Sequence, residues 1–253
     1  TPFGKPSSCF IVGKLDGTDV VFLPRHGKGH KFSPSEINYR ANIFGMKSLG
    51  VDAIVSVSAV GSLKEELKPL DFVLPDQFLD RTYKRENTFF TDGLVAHAAF
   101  ADPTAPELRE ILLQAAQGLG LKVHNGGTYV CMEGPQFSTK AESKLYRSWG
   151  MDIIGMTNAT EAKLAREAEI SYATLAAVTD YDCWHQTHET VSVEMIIATL
   201  KRNVANAQAL LKAAVPQIGA LKEFSAHGAL KYALITSPDA VPEEKKRELE
   251  VLI

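Results

Sequence analysis

Cysteine is scarce: Cys9, Cys131 and Cys183 are odd in number and widely spaced. That argues against a disulfide framework or a zinc ribbon and fits a reducing, cytoplasmic setting. Long apolar runs are missing as well. No stretch approaches the roughly 20 residues that cross a bilayer, and nothing has the form of a secretory leader. Excess charge of either sign is lacking, since 27 Lys and Arg stand against 30 Asp and Glu for a net of -3. Such a balance offers no general attraction for nucleic acid or an anionic membrane. Repeats, low-complexity tracts and Gly/Ser linkers are also absent, so nothing marks a domain boundary. What remains is a chain of 253 residues, 45% hydrophobic, long enough for a sizeable core in a single domain spanning residues 1–253. Its expected partner is a small molecule.

The apolar periods alternate between strand and helix. Residues 9–13 and 19–23 read as a hairpin around Asp16-Gly17, and residues 51–57, 71–78, 127–132, 152–156 and 170–178 as strands. Capping boxes at Ser33–Glu36 and Thr104–Glu107 predict helix starts, Thr139 to Glu142 opens a further helix reaching about Trp149, and Asn158 to Glu161 caps another. A long helix is expected over 192–215, with Ile196, Leu200, Val204, Ala207, Leu211 and Val215 on its apolar stripe, and a charged one over 241–253. The polar stretch 80–102 has no period and reads as a surface loop. Strands alternating with helices predict an α/β sandwich with a mixed, largely parallel sheet.

Chemistry concentrates at strand ends. Leu175 to Trp184, LAAVTDYDCW, is apolar through Val178 and then delivers Thr179, Asp180 and Asp182. If the strand alternation continues, both carboxylates face one ligand; alternatively both cap the following loop. Arg25, His26, Lys28 and His30 share a Gly-containing loop, which suits an anion, a solvated basic turn or, least well, a metal. Ser58 to Ser62, SAVGS, closes the second strand region with small residues that let a ligand approach main-chain N–H groups, or simply make a tight turn. Glu133 and Phe137 fall at a strand-to-helix junction, and Thr157 at another.

Taken together, Arg25-His-Gly with His30, NYRAN at 38–42, SAVGS at 58–62, EGPQF at 133–137, GMT at 155–157 and TDYDCW at 179–184 resemble, in order and spacing, the trimeric purine nucleoside phosphorylases. The resemblance runs from Thr1 to about Leu211. The Asp-Tyr-Asp form with Trp184 is similar to members that cleave methylthioadenosine. It implies a three-layer phosphorylase sandwich and attack of phosphate on the ribose anomeric carbon, releasing adenine and 5-methylthioribose 1-phosphate. Inorganic phosphate is then a co-substrate, with no metal and no other cofactor. By this resemblance Arg25, His26, Ser58, Ala59 and Thr157 hold phosphate, Phe137 packs on the purine and Met156 lies under the ribose. Asp180 sits at N7 as the catalytic acid and Asp182 at the exocyclic amine. His30, Val193 and Ile196 line the methylthio end, and His97 reaches a neighbouring subunit's site in a homotrimer. Family members carry an earlier strand and a Gly-rich phosphate loop that this sequence does not contain. Two other readings stay open: a relative acting on adenosine, methylthioinosine or a 6-oxopurine nucleoside, and a non-catalytic nucleoside-binding or assembly protein.

Overall fold

The computed structural model describes residues 1–185 and 193–253, without the side chains of Met195, Ile196, Ala198 and Leu200. A hairpin of β1 (Ile11–Leu15) and β2 (Thr18–Phe22) turns at Asp16 and Gly17, both at positive φ, the geometry a two-residue hairpin loop requires. Next come α1 (Tyr39–Ser48), β3 (Ala53–Ser62), β4 (Phe72–Leu74), β5 (Gln77–Arg81), α2 (Pro106–Gly118), β6 (Val123–Asn125) and β7 (Thr128–Met132). The chain continues through α3 (Lys140–Ser148), β8 (Ile153–Gly155), α4 (Asn158–Glu167), β9 (Ser171–Asp180), α5 (Val193–Gly219) and α6 (Glu243–Glu248).

Strands β3 to β9 form one mixed sheet in the order β5-β7-β8-β3-β9-β4-β6. Its pairings are parallel except for β3 with β8 and β4 with β9. Strand β9 is buried from Ser171 to Thr179 because helices cover both of its faces. Alternation sends Ala173, Leu175 and Ala177 towards Leu108 and Leu112 of α2 and Leu210 and Ala214 of α5. Tyr172 points the other way, into a cluster with Ile43 and Phe44 of α1 and Leu164 and Ala165 of α4. The result is three layers, helices over sheet over helices.

Several boundaries differ from the sequence reading, each for a local reason. Ser33 and Glu36 do bond, but they close their own turn, and α1 starts later, at Tyr39, with the Asn38 side chain accepting from Ala41 N–H at 3.0 Å. Thr104 caps nothing: α2 begins at Pro106 without a side-chain cap, since the Glu107 carboxylate accepts instead from the Ser171 hydroxyl and Ser225 N–H. The small residues 58–62 are not a turn; β3 runs through them to Ser62. The single strand expected over 71–78 is two, divided where the Asp76 side chain accepts from Gly127 N–H. On α5 the buried stripe is Asn203, Ala207, Leu210 and Ala214, whereas Val204 is exposed.

Candidate active site

Arg25 lies three residues beyond the end of β2 and turns inward under β3. Its guanidinium grips the Glu161 carboxylate through Nε at 2.5 Å and Nη2 at 3.1 Å, and it also donates to Val57 O at 3.0 Å and to the Ser56 hydroxyl. Both side chains are largely buried. Burial works against the Arg25 charge, but the Glu161 carboxylate more than offsets it and raises the pKa above the ordinary arginine value. Four of the five guanidinium N–H donors are thus committed, leaving one for an incoming anion.

Asn158, fully buried in the first turn of α4, ties this pair to the neighbouring strands. Its Nδ2 faces the hydroxyls of Ser56, Tyr172 and Thr174, while its Oδ1 accepts from Tyr129 and Thr157, each at 3.1 Å. Thr157 is the N-cap of α4 and sits where the positive end of the helix dipole favours an anion. Arg25 and Thr157 therefore belong to one hydrogen-bonded group, and Ser58 joins it through Tyr129. His26 lies beside Arg25, its Nδ1 within 2.9 Å of Phe32 O and its ring stacked on His30 at 4.1 Å. Burial lowers the His26 pKa, aided by the Arg25 and His30 charges, so the ring favours its neutral form. A cavity of about 1110 Å³ opens over Arg25, His26, His30 and Glu161, between β2, β3 and α5.

The acid pair stands at the far end of β3 and β9. A register shift between Val60 and Gly61 sets Asp180 opposite Gly61. A Cβ on Gly61 would come within 3.0 Å of Asp180 Oδ1, so this close approach needs glycine. Asp180 Oδ1 accepts from Asp182 N–H at 2.7 Å, and Oδ2 from the Thr179 hydroxyl at 2.7 Å. Both sequence readings are thus half realised. Asp180 shapes the turn, and Asp182 leaves the strand alternation by taking a positive φ of 50°. Burial raises the pKa of Asp180, and the charge of Asp182 adds to it against the two hydrogen bonds. Asp182 is raised by burial too, opposed by hydroxyls of Ser143 and Ser138. Along β3, Ser58 and Gly61 are about 10 Å apart at 3.3 Å per residue.

Phe137, exposed, follows β7 and lies close to the acid pair, since the Cys183 thiol donates to Ser138 O at 3.3 Å. Met156 packs over Gly134: a Cβ there would meet Met156 Sδ at 2.5 Å. Ala59 lies between Ser58 and the bulge on β3. Val193 opens α5 and is exposed, and Ile196 has its side chain outside the described residues. His97 stands apart, exposed, with its N–H on Ala233 O at 2.8 Å. Sequence reasoning missed Glu161, Ser56, Asn158 and Arg85. Glu161 and Asn158 carried a signal, but it was the signal of a helix start, and it hid their tertiary roles.

The chain belongs to the phosphorylase superfamily, whose family model matches residues 1–216. The chain is 57% identical over 254 residues to the S-methyl-5'-thioadenosine phosphorylase of Geobacter sulfurreducens, covering all of this chain and 89% of that protein. It is 59% identical over 257 residues to the enzyme of the same name from Thermosynechococcus vestitus, with the same coverage of 100% and 89%. Among solved structures it is similar to a methylthioadenosine phosphorylase from an antarctic soil metagenomic library, with a TM-score of 0.96 at 53% identity over 100% of this chain and 90% of that one. A Schistosoma mansoni methylthioadenosine phosphorylase in complex with adenine follows at a TM-score of 0.86 and 42% identity, covering 88% and 84%.

Proposed function

We propose that the protein cleaves S-methyl-5'-thioadenosine by phosphorolysis, giving adenine and 5-methylthioribose 1-phosphate, a step in purine and methionine salvage in the cytoplasm. The observation that carries this reading is the half-buried Asp180–Asp182 pair set about 10 Å along β3 from Ser58. As the glycosidic bond breaks, the purine gains negative charge and the sugar becomes cationic. A carboxylic acid at N7 lowers that barrier by donating a proton, commonly worth about 10²–10⁴-fold. The raised pKa of Asp180 suits it to hold that proton, and the Thr179 hydroxyl can rotate from donor to acceptor when it does. Asp182, ionised, accepts from the exocyclic amine and so prefers adenine to a 6-oxopurine.

On the other side, Thr157, Ser58 and Ala59 offer hydroxyl and main-chain donors to phosphate, with Arg25 and His26 beside them. Phe137 covers the purine and Met156 the ribose, while His30, Val193 and Ile196 take the methylthio end. The reaction as drawn uses phosphate as co-substrate and needs no metal and no organic cofactor. No described helix is long and apolar enough to cross a membrane. Assembly as a homotrimer lets His97 of one subunit complete the site of the next. The test is adenine release from methylthioadenosine, adenosine and methylthioinosine, with and without phosphate. Phosphate-dependent release, fastest from methylthioadenosine, is expected. Adenine binding without any phosphate-dependent product would overturn the reading.

A further inference from the structure

Among the described residues, Arg85 is the strongly buried cation at the site that has no role in the chemistry above. Its side chain is 1% exposed, yet the nearest carboxylate oxygen, Glu133 Oε1, is 4.0 Å from Nε. Its shortest hydrogen bonds go instead to main-chain carbonyls: Nη2 donates to Glu133 O at 2.8 Å and Nη1 to Met156 O, with longer contacts from Nη1 to the Thr160 hydroxyl at 3.4 Å and the Cys131 sulfur at 4.0 Å. The Ser35 hydroxyl bridges the remaining gap, standing 3.4 Å from Nε and donating to the Glu133 carboxylate. A buried cation that only filled space would be replaced at little or no cost by an apolar side chain of the same size. What such a side chain cannot do is hold two carbonyls in one plane, and the planar fork does.

The two carbonyls belong to the segments expected to cradle the nucleoside. Glu133 O is followed by Gly134, which packs on the Met156 side chain, and then by Phe137; Met156 O is followed by Thr157. From these contacts we infer that Arg85 is a positioning residue for the nucleoside: it locks the Glu133–Phe137 segment against Met156, so that the purine cover and the ribose floor are fixed before substrate arrives. Fixing them in advance spares the ordering cost of binding. The phosphate side has its own lock in Arg25, Glu161 and Asn158, so the effect falls on one substrate more than on the other. The inference rests on the assignment of Phe137 and Met156 to the nucleoside.

The experiment compares wild type with Arg85→Met, Arg85→Lys and a stability control, Leu112→Ala, which opens a cavity between α2 and the sheet. Adenine affinity is measured by calorimetry, and the KM values for methylthioadenosine and phosphate by steady-state kinetics. Expected is a rise of ten-fold or more in adenine Kd and nucleoside KM for Arg85→Met, with phosphate KM moving less than three-fold. Arg85→Lys, whose single amine lacks the planar fork, falls between; it supplies the reading if the Met variant does not fold. Leu112→Ala lowers the thermal midpoint but leaves adenine Kd unchanged. Equal adenine affinity in wild type and Arg85→Lys, or equal shifts in Arg85→Lys and Leu112→Ala, overturns the inference. Failure of wild type itself to bind adenine or to cleave methylthioadenosine counts against the proposed function instead.

Discussion

Gly61 shows how much of the site depends on single atoms. Its hydrogen faces Asp180 Oδ1 and Ile154 Cγ2, and a methyl group would stand 3.0 Å and 3.1 Å from them. Gly61→Ala should therefore displace the proposed acid by a fraction of an ångström and lower kcat about ten-fold or more, with phosphate KM little changed. Unaltered kcat in this variant would mean Asp180 is not the acid. The ionisation of the pair makes a second expectation. Both carboxyls have pKa values raised by burial, so their favourable contribution to folding is complete below the ordinary carboxylate pKa and is lost as pH rises through the raised values. Asp180→Asn with Asp182→Asn should thus be no less stable than wild type at neutral pH and lose any advantage in acid, measured by denaturant unfolding. The same double variant should shift the ratio of methylthioadenosine to methylthioinosine cleavage towards inosine while lowering both, because an amide can donate to the purine 6-oxygen. Equal loss on both substrates would show that these groups do not read the 6-position. The identity of these acids was legible in the sequence because they break an apolar run. Their geometry was not, since Asp182 reaches its place through a left-handed backbone that alternation does not foresee. Glu161 and Arg85 were illegible for another reason: their partners lie 136 and 71 residues away.

Among the elements, α3 starts where the sequence opened a helix, and its N-terminus carries a complete capping box. Thr139 Oγ1 accepts from Glu142 N–H at 3.1 Å while the Glu142 carboxylate accepts from Thr139 N–H at 2.7 Å. Thr139→Ala should cost about 1 kcal/mol, within a range of roughly 0.5–2, read as a lower urea midpoint. The same pattern at Thr104–Glu107 failed because Glu107 found acceptor duty with Ser171 and Ser225, contacts made only when the chain folds. Local boxes are legible when their side chains have nowhere else to go. Strand β9 was legible by its continuous apolar run, β4 only as part of a longer strand over 71–78, whereas β6 is three residues long and left no period to read. The β3 boundary moved for a simpler reason: serine, alanine and glycine look like a turn in sequence, yet they fit a strand whose neighbours β8 and β9 press close.

At the scale of the whole molecule, the segment after β5 joins the site to the surface. Arg85 anchors its beginning in the site, and the Glu167 carboxylate holds Thr88 and Phe89 at 2.7 Å each. Farther on, Ala96 pairs with Leu234 as an antiparallel bridge and His97 N–H reaches Ala233 O. Around that bridge Tyr232 is 86% exposed and Ile235 62%, and Val95 is also exposed. Contiguous apolar side chains of this kind on a folded surface mark a contact with another protein. A second copy of the chain is the partner expected, for then the patch that carries His97 covers a neighbour's site, and a closed ring leaves no such surface open. Sedimentation should give a trimer. Ile235→Glu, which places a charge in the patch without touching any proposed ligand-binding residue, should release subunits and raise the KM for methylthioadenosine as the protein is diluted, whereas wild type should hold its KM over the same range. His97→Ala should raise that KM while leaving the trimer intact. A monomeric Ile235→Glu variant with full activity would separate catalysis from assembly and remove His97 from the site.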